Sequence, residues 1–209
     1  MATVYLLHTD EAAKLPDSYG AALFPLRAER ARSFRFLQDR LLCMGAGALL
    51  HGVLGIRESS ITLGEHGKPC APDCSVNFNL SHSGEYAVLA VGEHSIGVDV
   101  EQCDERHFSV AKRVFTPGEQ AWMAEAPAER FMKLWTMKES VSKALGQGLS
   151  LPFESFDVLP LLNGESVTVE DSVLYGETLP LPGYGLSLCT VGARETVELR
   201  VLSAAELMK

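Results

Sequence analysis

The sequence predicts an α+β fold built from two similar α/β halves. Short apolar segments of strand length lie towards both ends of the chain, and two longer segments of helical character lie among them. A faint internal echo is also present, because residues 86–92 followed by IGVDV resemble residues 184–192 followed by VELRV. Each copy is predicted to contain two strands joined by a short polar turn. Apolar hairpins are common, so the echo alone is weak support for two halves divided near residues 103–110.

The first half is predicted to begin with a strand at residues 3–8. Residues 27–54 are rich in Ala, Leu and Arg, which favours one or two helices. Residues 64–72 contain several Gly and Pro residues and are predicted to be a loop. Further strands are predicted at residues 76–80, 86–91 and 96–101. The tract GEHS between the last two suits a hairpin turn.

The second half is predicted to begin with a helix at Thr116. The segment from Thr116 to Glu119 has the pattern of a capping box, with proline at the first helical position. A longer helix is predicted over residues 128–145, ending at Gly146. Strands are predicted at residues 156–159, 167–170, 184–191 and 196–202.

Composition and charge limit the kind of protein. The chain of 209 residues is 46% hydrophobic and 22% charged, which is typical of a globular protein. Its formal net charge of −9 argues against broad nucleic-acid binding, which needs a basic surface. The longest apolar run, about residues 41–50, is half the length needed to cross a bilayer. The five cysteines form no CxxC pair, which favours a reducing compartment. We therefore expect a cytoplasmic protein without membrane or nucleic-acid partners.

Two carboxylates lie on the predicted strand IGVDVE, at Asp99 and Glu101. Side chains alternate along a strand, so these acids would share one face while the apolar residues occupy the other. Neighbouring carboxylates repel each other, and a hard divalent cation with oxygen ligands would relieve that repulsion. A solvated strand face would carry the same residues. This segment alone does not decide between a metal site and a solvated face.

A second group of candidate residues lies on the predicted long helix. Glu139 and Lys143 are four residues apart, and Trp135 precedes Glu139 by four, so all three share a helix face. An exposed Glu–Lys pair, contributing about 0.3–0.5 kcal/mol, is the simplest interpretation of the two charges. Trp135 on the same face argues against full exposure.

Two further segments could bind phosphate. Ser81 and His82 lie where a predicted strand runs into a glycine turn, in the segment NFNLSHSG, although an ordinary turn has the same composition. A hydrolase with Ser81 or Ser83 as nucleophile would lack the G-x-S-x-G elbow. Guanidinium groups also suit phosphate oxygens, while a solvated helix face is the alternative for at least two of the arginines. The basic candidates are Arg27, Arg30, Arg32, Arg35, Arg40 and Lys68.

The order of the motifs is more informative than any one of them. GKP, FNLSHSG, GVDVE, FxxxE and WxxKESxxKxxGxGL occur in that order. Together they resemble the phosphopantetheinyl transferases of the surfactin-synthetase-activating type, along the whole chain. The trimeric holo-acyl-carrier-protein synthases share two of these motifs but are only about half as long. The resemblance implies a monomeric pseudo-dimer of two α/β halves related by a pseudo-twofold, residues 1–103 and 104–209, with the active site between them.

The resemblance also implies the reaction and the roles of the site residues. The arm of coenzyme A would be transferred to a serine of an apo acyl or peptidyl carrier protein, with release of 3′,5′-ADP. The implied magnesium ligands are Asp99, Glu101 and Glu139. Glu139 is also the implied general base, with Asp99 or a metal-bound water as alternatives, and Lys143 would contact the reacting phosphate. The implied contacts to coenzyme A phosphates are Lys68, Ser81, His82, Arg27 and Arg30.

Two rival functions are compatible with the same residues. One is a non-catalytic relative that binds coenzyme A or a carrier, and the other is a metal-dependent hydrolase that removes the arm. The three acids and Lys143 are all present, which speaks against a non-catalytic copy. The sequence does not distinguish carriers of fatty-acid, polyketide and nonribosomal-peptide biosynthesis.

Overall fold

The computed structural model describes residues 1–64, 66–71 and 74–209, except for the side chains of residues 105–107 and 149. The helices are α1 (Thr9–Ala12), α2 (Asp17–Leu23), α3 (Pro25–Ser33), α4 (Leu37–Leu54), α5 (Ala111–Val114), α6 (Pro117–Met123), α7 (Pro127–Leu145), α8 (Leu159–Leu162) and α9 (Ala204–Leu207). The strands are β1 (Ala2–His8), β2 (Thr62–Leu63), β3 (Pro69–Cys70), β4 (Asn77–Ser83), β5 (Tyr86–Gly92), β6 (Ile96–Gln102), β7 (Ser166–Val169), β8 (Ser172–Thr178), β9 (Tyr184–Val191) and β10 (Val197–Val201).

These strands form two four-stranded sheets, so the predicted α+β class is confirmed. The first sheet has the order β10-β1-β5-β4 and the second has the order β6-β9-β8-β7. Neighbouring strands are antiparallel except for β1 and β10, which run parallel. Strands β2 and β3 pair separately, and β3 lies within the segment 64–72 that was predicted to be loop. Part of that segment lies outside the described residues.

The apolar core has three parts: one between α4 and the first sheet, one between the two sheets, and one between the second sheet and α7. Residues of β1 and β5 alternate between α4 on one side and the second sheet on the other. In β6, Ile96, Val98 and Val100 are fully buried between the two sheets, as their predicted alternation requires. The long helix α7 packs against the opposite face of the second sheet. The described structure therefore consists of two sheets packed together, each covered on its outer face by one long helix.

The predicted hairpin between β5 and β6 is wrong. Strand β5 pairs within the first sheet, whereas β6 pairs with β9 in the second sheet. The polar tract after β5 therefore connects the first sheet to the second. This crossover allows the apolar residues of β6 to be buried between the two sheets. The echo has the same structure at its second copy: β9 belongs to the second sheet and β10 crosses to the first. Each sheet thus receives one edge strand from across the predicted boundary at residue 103.

Helix boundaries follow the predicted signals. Thr116 is the N-cap of α6 and forms the complete capping box with Glu119. Helix α7 ends at Gly146, whose φ of 73° is in the left-handed region that glycine adopts readily. No helix within the described ranges is both long enough and apolar enough to span a membrane.

Two predictions for the last third of the chain differ from the structure. Residues 156–159 were predicted to be a strand, but residues 156–158 connect a 3₁₀ turn, Phe153–Ser155, to α8, which begins at Leu159. The N–H of Val158 is bonded to a carboxylate oxygen of Glu119 rather than to a neighbouring strand. Strand β8 was not predicted. Its turn from β7 uses Glu170 and Asp171 at φ of 47° and 63°, without the glycine that usually marks such a turn.

Candidate active site

A backbone contact between β6 and α7 forms the base of the candidate site. A Cβ atom at Gly97 would lie 2.1 Å from the carbonyl oxygen of Ser140 and 2.3 Å from the nitrogen of Ala144. Real Cβ atoms do not approach other atoms so closely, so only glycine permits this packing. The glycine of the GVDVE motif therefore sets the distance between the strand that carries Asp99 and the helix that carries Glu139.

Asp99 lies at the centre of the site and is only 3% exposed. Its Oδ1 atom accepts hydrogen bonds from the Ser81 hydroxyl at 2.9 Å and from the Lys143 ammonium at 2.6 Å. Its Oδ2 atom is buried and has no hydrogen-bond partner among the described residues. Burial raises the pKa of Asp99, while the charge of Lys143 acts in the opposite direction. One oxygen of this carboxylate is thus bound by protein groups, and the other has hydrogen-bonding capacity to spare.

The Lys143 side chain reaches from α7 to β4 and β6. Besides Asp99, its ammonium donates to the Ser81 hydroxyl at 3.1 Å and to the carbonyl oxygen of Val98 at 3.3 Å. Lys143 therefore does not form the exposed pair with Glu139 that is the simplest interpretation of the sequence. It places a positive charge against the buried carboxylate of the strand.

Glu101 and Glu139 complete the acidic group. Glu101 accepts a hydrogen bond from Ser83 at 2.7 Å. Burial, and next the negative charge of Asp99, raise the pKa of Glu139 to about 7, with Glu101 adding to the effect and Lys143 opposing it. The three predicted acids therefore share one electrostatic environment. Within the described part of the chain, however, no three His, Cys, Asp or Glu side chains are gathered closely enough to hold a metal ion.

Lys68 lies on the other side of Gly97. Its ammonium donates to the Ser95 hydroxyl at 3.1 Å and to the carbonyl oxygens of Ile96 at 3.1 Å and Ala144 at 3.0 Å. Burial lowers the pKa of Lys68. An ammonium has three protons, and all three are used to join the start of β6 to the last turn of α7. The side chain predicted to contact a phosphate thus holds the two main elements of the site together.

His82 faces a positively charged neighbourhood. Its ring is exposed at the end of β4, and its pKa is lowered by partial desolvation and then by the charges of Lys143 and Arg27, with a smaller contribution from Arg30. Arg27 and Arg30 both lie on α3, which packs against α4. The charges of Lys143, Arg27 and Arg30 therefore all act on His82, although α3, β4 and α7 are far apart in the sequence.

Two other motif residues form a buried ion pair that the sequence analysis did not identify. The ammonium of Lys138 lies 2.9 Å from Glu119, and it also donates to the carbonyl oxygens of Phe153 and Phe156 at 2.6 Å each. Lys138 directly precedes Glu139 on α7, but its side chain points away from the acids, into the apolar core that α7 forms with the second sheet. The adjacent Trp135 packs partly buried in that same core, in agreement with the prediction that it is not fully exposed.

Comparison with known proteins shows which family the sequence resembles. The family model of the 4′-phosphopantetheinyl transferase superfamily matches residues 95–179, which include both GVDVE and the α7 motif. The 4′-phosphopantetheinyl transferase Sfp of Bacillus subtilis is 31% identical over 88% of this chain and 89% of its own length. A second 4′-phosphopantetheinyl transferase of Bacillus subtilis is 35% identical over 68% of each chain. A solved holo-[acyl-carrier-protein] synthase of Thermotoga maritima aligns with a TM-score of 0.36, at 16% identity, over 48% of this chain and 64% of its own.

The family model and the relative that is 31% identical over most of the chain define the class of this protein. The chain belongs to the 4′-phosphopantetheinyl transferase superfamily, among the relatives of the Sfp type.

Proposed function

We propose that this chain transfers the 4′-phosphopantetheine arm of coenzyme A to a serine hydroxyl of an apo carrier protein. In this reaction a bond forms between the serine oxygen and the β-phosphorus. The bond from that phosphorus to the oxygen shared with the α-phosphate breaks, and 3′,5′-ADP leaves with this oxygen. The observation that carries the proposal is the position of Lys143, which lies 2.6 Å from Asp99 and four residues from Glu139. Asp99 comes from β6, whereas Glu139 and Lys143 both come from α7.

The basic residues provide a binding surface for coenzyme A. Arg27, Arg30 and His82 carry N–H donors. The charges of the two arginines both lower the pKa of His82, which supports a common neighbourhood for the three side chains. Guanidinium and imidazole donors suit the 3′-phosphate, and Lys143 would contact the phosphate that reacts. Lys68 is also proposed to belong to this surface, although its ammonium already contacts protein groups. The Ser81 hydroxyl, which the sequence also assigned to this surface, instead donates to Asp99.

Glu139 is the proposed general base that removes the proton of the attacking serine. Its pKa of about 7 gives it a carboxylate that can accept a proton near neutral pH, which an ordinary exposed glutamate does poorly. Transfer of the proton to Glu139 would also decrease the repulsion between it and Asp99.

The acids are also the proposed ligands of a divalent cation, although in this structure the three are not gathered closely enough to hold one together. Asp99 Oδ2 is buried and has no hydrogen-bond partner among the described residues, so its lone pairs could bind a cation. Asp99, Glu101 and Glu139 would hold Mg²⁺, because hard cations prefer carboxylate oxygens. When bound, Mg²⁺ would offset the negative charge of the pyrophosphate.

The remaining features of the proposal concern the setting of the enzyme. We propose a cytoplasmic monomer whose two halves, residues 1–103 and 104–209, bind coenzyme A and the apo carrier between them. Because Asp99 and Glu101 lie on a strand that pairs with β9, neither half carries a complete site.

Incubation with coenzyme A and a panel of apo carriers tests the function. We expect 3′,5′-ADP to appear together with a phosphopantetheine-sized increase in carrier mass, and neither product with a carrier whose acceptor serine is replaced by alanine. Binding of coenzyme A without transfer to any carrier would indicate the non-catalytic rival. Loss of the arm from a holo carrier would indicate the hydrolase.

The phosphate surface has its own test. Dephospho-coenzyme A lacks the 3′-phosphate and should be the poorer substrate, mainly through a higher KM. Arg30→Ala and His82→Ala should raise the KM for coenzyme A more than they lower kcat. Arg32→Ala, on the same helix as Arg30, is the matched control. Equal use of both forms of the substrate would argue against a site for the 3′-phosphate.

A further inference from the structure

Three side chains of β4 replace a missing strand pairing. Strands β4 and β6 are edge strands of different sheets. The N–H groups of Val98, Val100 and Gln102 in β6 donate to side-chain oxygens of β4 at 2.9, 3.3 and 3.1 Å. The acceptors are Asn79, Ser81 and Ser83, which alternate along β4 as residues on one face of a strand must. The edge of β6 is therefore bound by a row of side chains instead of a backbone.

The two serines of this row also bind the two acids. The hydroxyl of Ser81 donates to Asp99 at 2.9 Å, and the hydroxyl of Ser83 donates to Glu101 at 2.7 Å. Each serine thus contacts one acid and the N–H of the residue that follows it. Two serines spaced by two residues match two acids with the same spacing. Asn79 differs, because the residue at the corresponding place in β6 is Gly97, which has no side chain to bind.

The Ser81 hydroxyl has no capacity left for another ligand. A hydroxyl can donate one hydrogen bond and accept two. Ser81 donates to Asp99 and accepts from the Val100 N–H and the Lys143 ammonium, at 3.3 and 3.1 Å. The residue is also only 8% exposed. Its side chain is therefore suited to orienting Asp99 rather than to binding a phosphate of coenzyme A.

We propose that Ser81 and Ser83 are positioning residues that fix the carboxylates of Asp99 and Glu101 for the transfer reaction. Removing a hydrogen bond that orients a metal-ligating side chain commonly lowers metal affinity or activity by about 10–100-fold. Each serine hydroxyl is hydrogen-bonded both to an acid and to a backbone N–H of β6. The hydroxyl is therefore fixed in place, and rotation of the carboxylate would break its hydrogen bond to the serine. This inference rests on the proposed function for its kinetic test but not for its binding test.

The kinetic test compares alanine variants of the row. Ser81→Ala and Ser83→Ala should lower kcat by about 10–100-fold, the usual effect of removing such a support, with the KM for coenzyme A changed by less than about 3-fold. Asn79→Ala is the matched control, because it also removes one bond to β6 but touches neither acid. It should lose thermal stability like the serine variants and keep its kcat within about 3-fold of wild type. Ser83→Thr, which retains the hydroxyl, should restore most of the activity.

The binding test uses Mn²⁺ alone, followed by electron paramagnetic resonance. We expect Mn²⁺ to bind wild type and Asn79→Ala alike, and to bind the serine variants about 10–100-fold more weakly. Mn²⁺ affinity tests the roles of the two serines even if no carrier is modified. The proposed function would then be wrong, while the proposal for the serines could still be judged. Should Ser81→Ala fail to fold, Ser83→Ala remains, because Ser83 is only half-buried.

Three results would overturn the proposal. The first is a higher KM for coenzyme A with unchanged kcat in Ser81→Ala, which would make Ser81 a phosphate contact. The second is serine variants that behave like Asn79→Ala in both tests, which would make the hydroxyls purely structural. The third is wild-type protein that does not bind Mn²⁺.

Discussion

The ammonium of Lys138 lies 2.9 Å from the carboxylate of Glu119, and neither side chain has any exposed surface. The carboxylate also accepts hydrogen bonds from the backbone N–H groups of Thr116 and Val158, at 2.8 Å each. The pair therefore joins the start of α6, the middle of α7 and the segment that leads to α8. Burial raises the pKa of Glu119 and lowers that of Lys138, so each charge depends on the other to remain ionised.

Lys138→Met should reduce the free energy of unfolding by about 3–5 kcal/mol, because it leaves a buried carboxylate without its counter-ion. Chemical denaturation measures this loss. Lys133→Met is the matched control on the same helix, since its partner Glu129 is 69% exposed, and it should cost at most about 1 kcal/mol. The double variant Glu119→Gln/Lys138→Met should be more stable than Lys138→Met. Similar losses in the two lysine variants would contradict a special role for the buried pair.

Gly97→Ala should destabilise the protein by about 1–3 kcal/mol or more, because its methyl group would overlap the backbone of α7. Displacement of α7 should also separate Lys143 from Asp99 and lower the transfer rate. Gly118→Ala provides the comparison, since the nearest atom to its new methyl group, Asp157 Oδ2, would be 3.5 Å away. Thermal unfolding and transfer assays on both variants check the prediction. A Gly97→Ala protein with wild-type stability would show that the close contact is not required.

Glu139→Gln keeps the shape of the side chain but cannot accept a proton at neutral pH. Single-turnover transfer at saturating Mg²⁺ should fall by about 10²–10⁴-fold, the usual contribution of a positioned general base. Affinity for coenzyme A should change much less, because Arg27, Arg30 and His82 are untouched. Glu129→Gln, an exposed position on the same helix, should be near wild type. If extra Mg²⁺ restored the rate of Glu139→Gln, the residue would be a metal ligand only, and the base would be another group.

Glu195 predicts a dependence of stability on pH. Burial alone would raise the pKa of this carboxyl, but hydrogen bonds from the backbone and imidazole of His94, from the Met1 amine and from the Glu93 N–H hold its pKa at about 2. Since the pKa in the folded state is below the ordinary value of 4.5, the stabilisation is complete above pH 4.5. It should be lost as the pH falls from there towards 2.

The measurement compares wild type with Glu195→Gln. The difference in their free energies of unfolding should be constant between about pH 6 and 8 and should shrink below about pH 4.5. A difference that stayed constant down to pH 3, or that grew on acidification, would rule out this contribution of Glu195.

The sequence predicted the elements of the site better than their arrangement. The alternation in IGVDVE correctly placed Asp99 and Glu101 opposite the apolar residues, because a strand has a fixed period. The caps at Thr116 and Gly146 correctly placed the ends of two helices, since capping is a local interaction. No local signal reveals that β6 leaves the sheet of β5, because the choice of partner strand depends on residues of β9 that are about ninety positions away.

The roles of individual polar residues were harder to predict for the same reason. The Glu–Lys spacing on α7 suggested an exposed pair, whereas Lys143 turns towards Asp99 on another element. Ser83 was considered only as a nucleophile, because its contact with Glu101 requires two sheet edges to meet. The sequence-based roles of Lys68, Ser81, His82, Arg27 and Arg30 in binding coenzyme A, and of the acids in binding Mg²⁺, stay predictions.

The exchange of edge strands between the two sheets also governs when the enzyme becomes complete during its synthesis. Strand β1 leaves the ribosome long before its parallel partner β10, because nearly all the other described elements lie between them in the sequence. Asp99 is likewise made long before β9, the strand that holds β6 in place. Contacts between such distant segments form slowly, because a long intervening chain must first be closed into a loop. A nascent chain that has already made all of α7 would therefore carry every candidate catalytic residue and still lack an ordered active site.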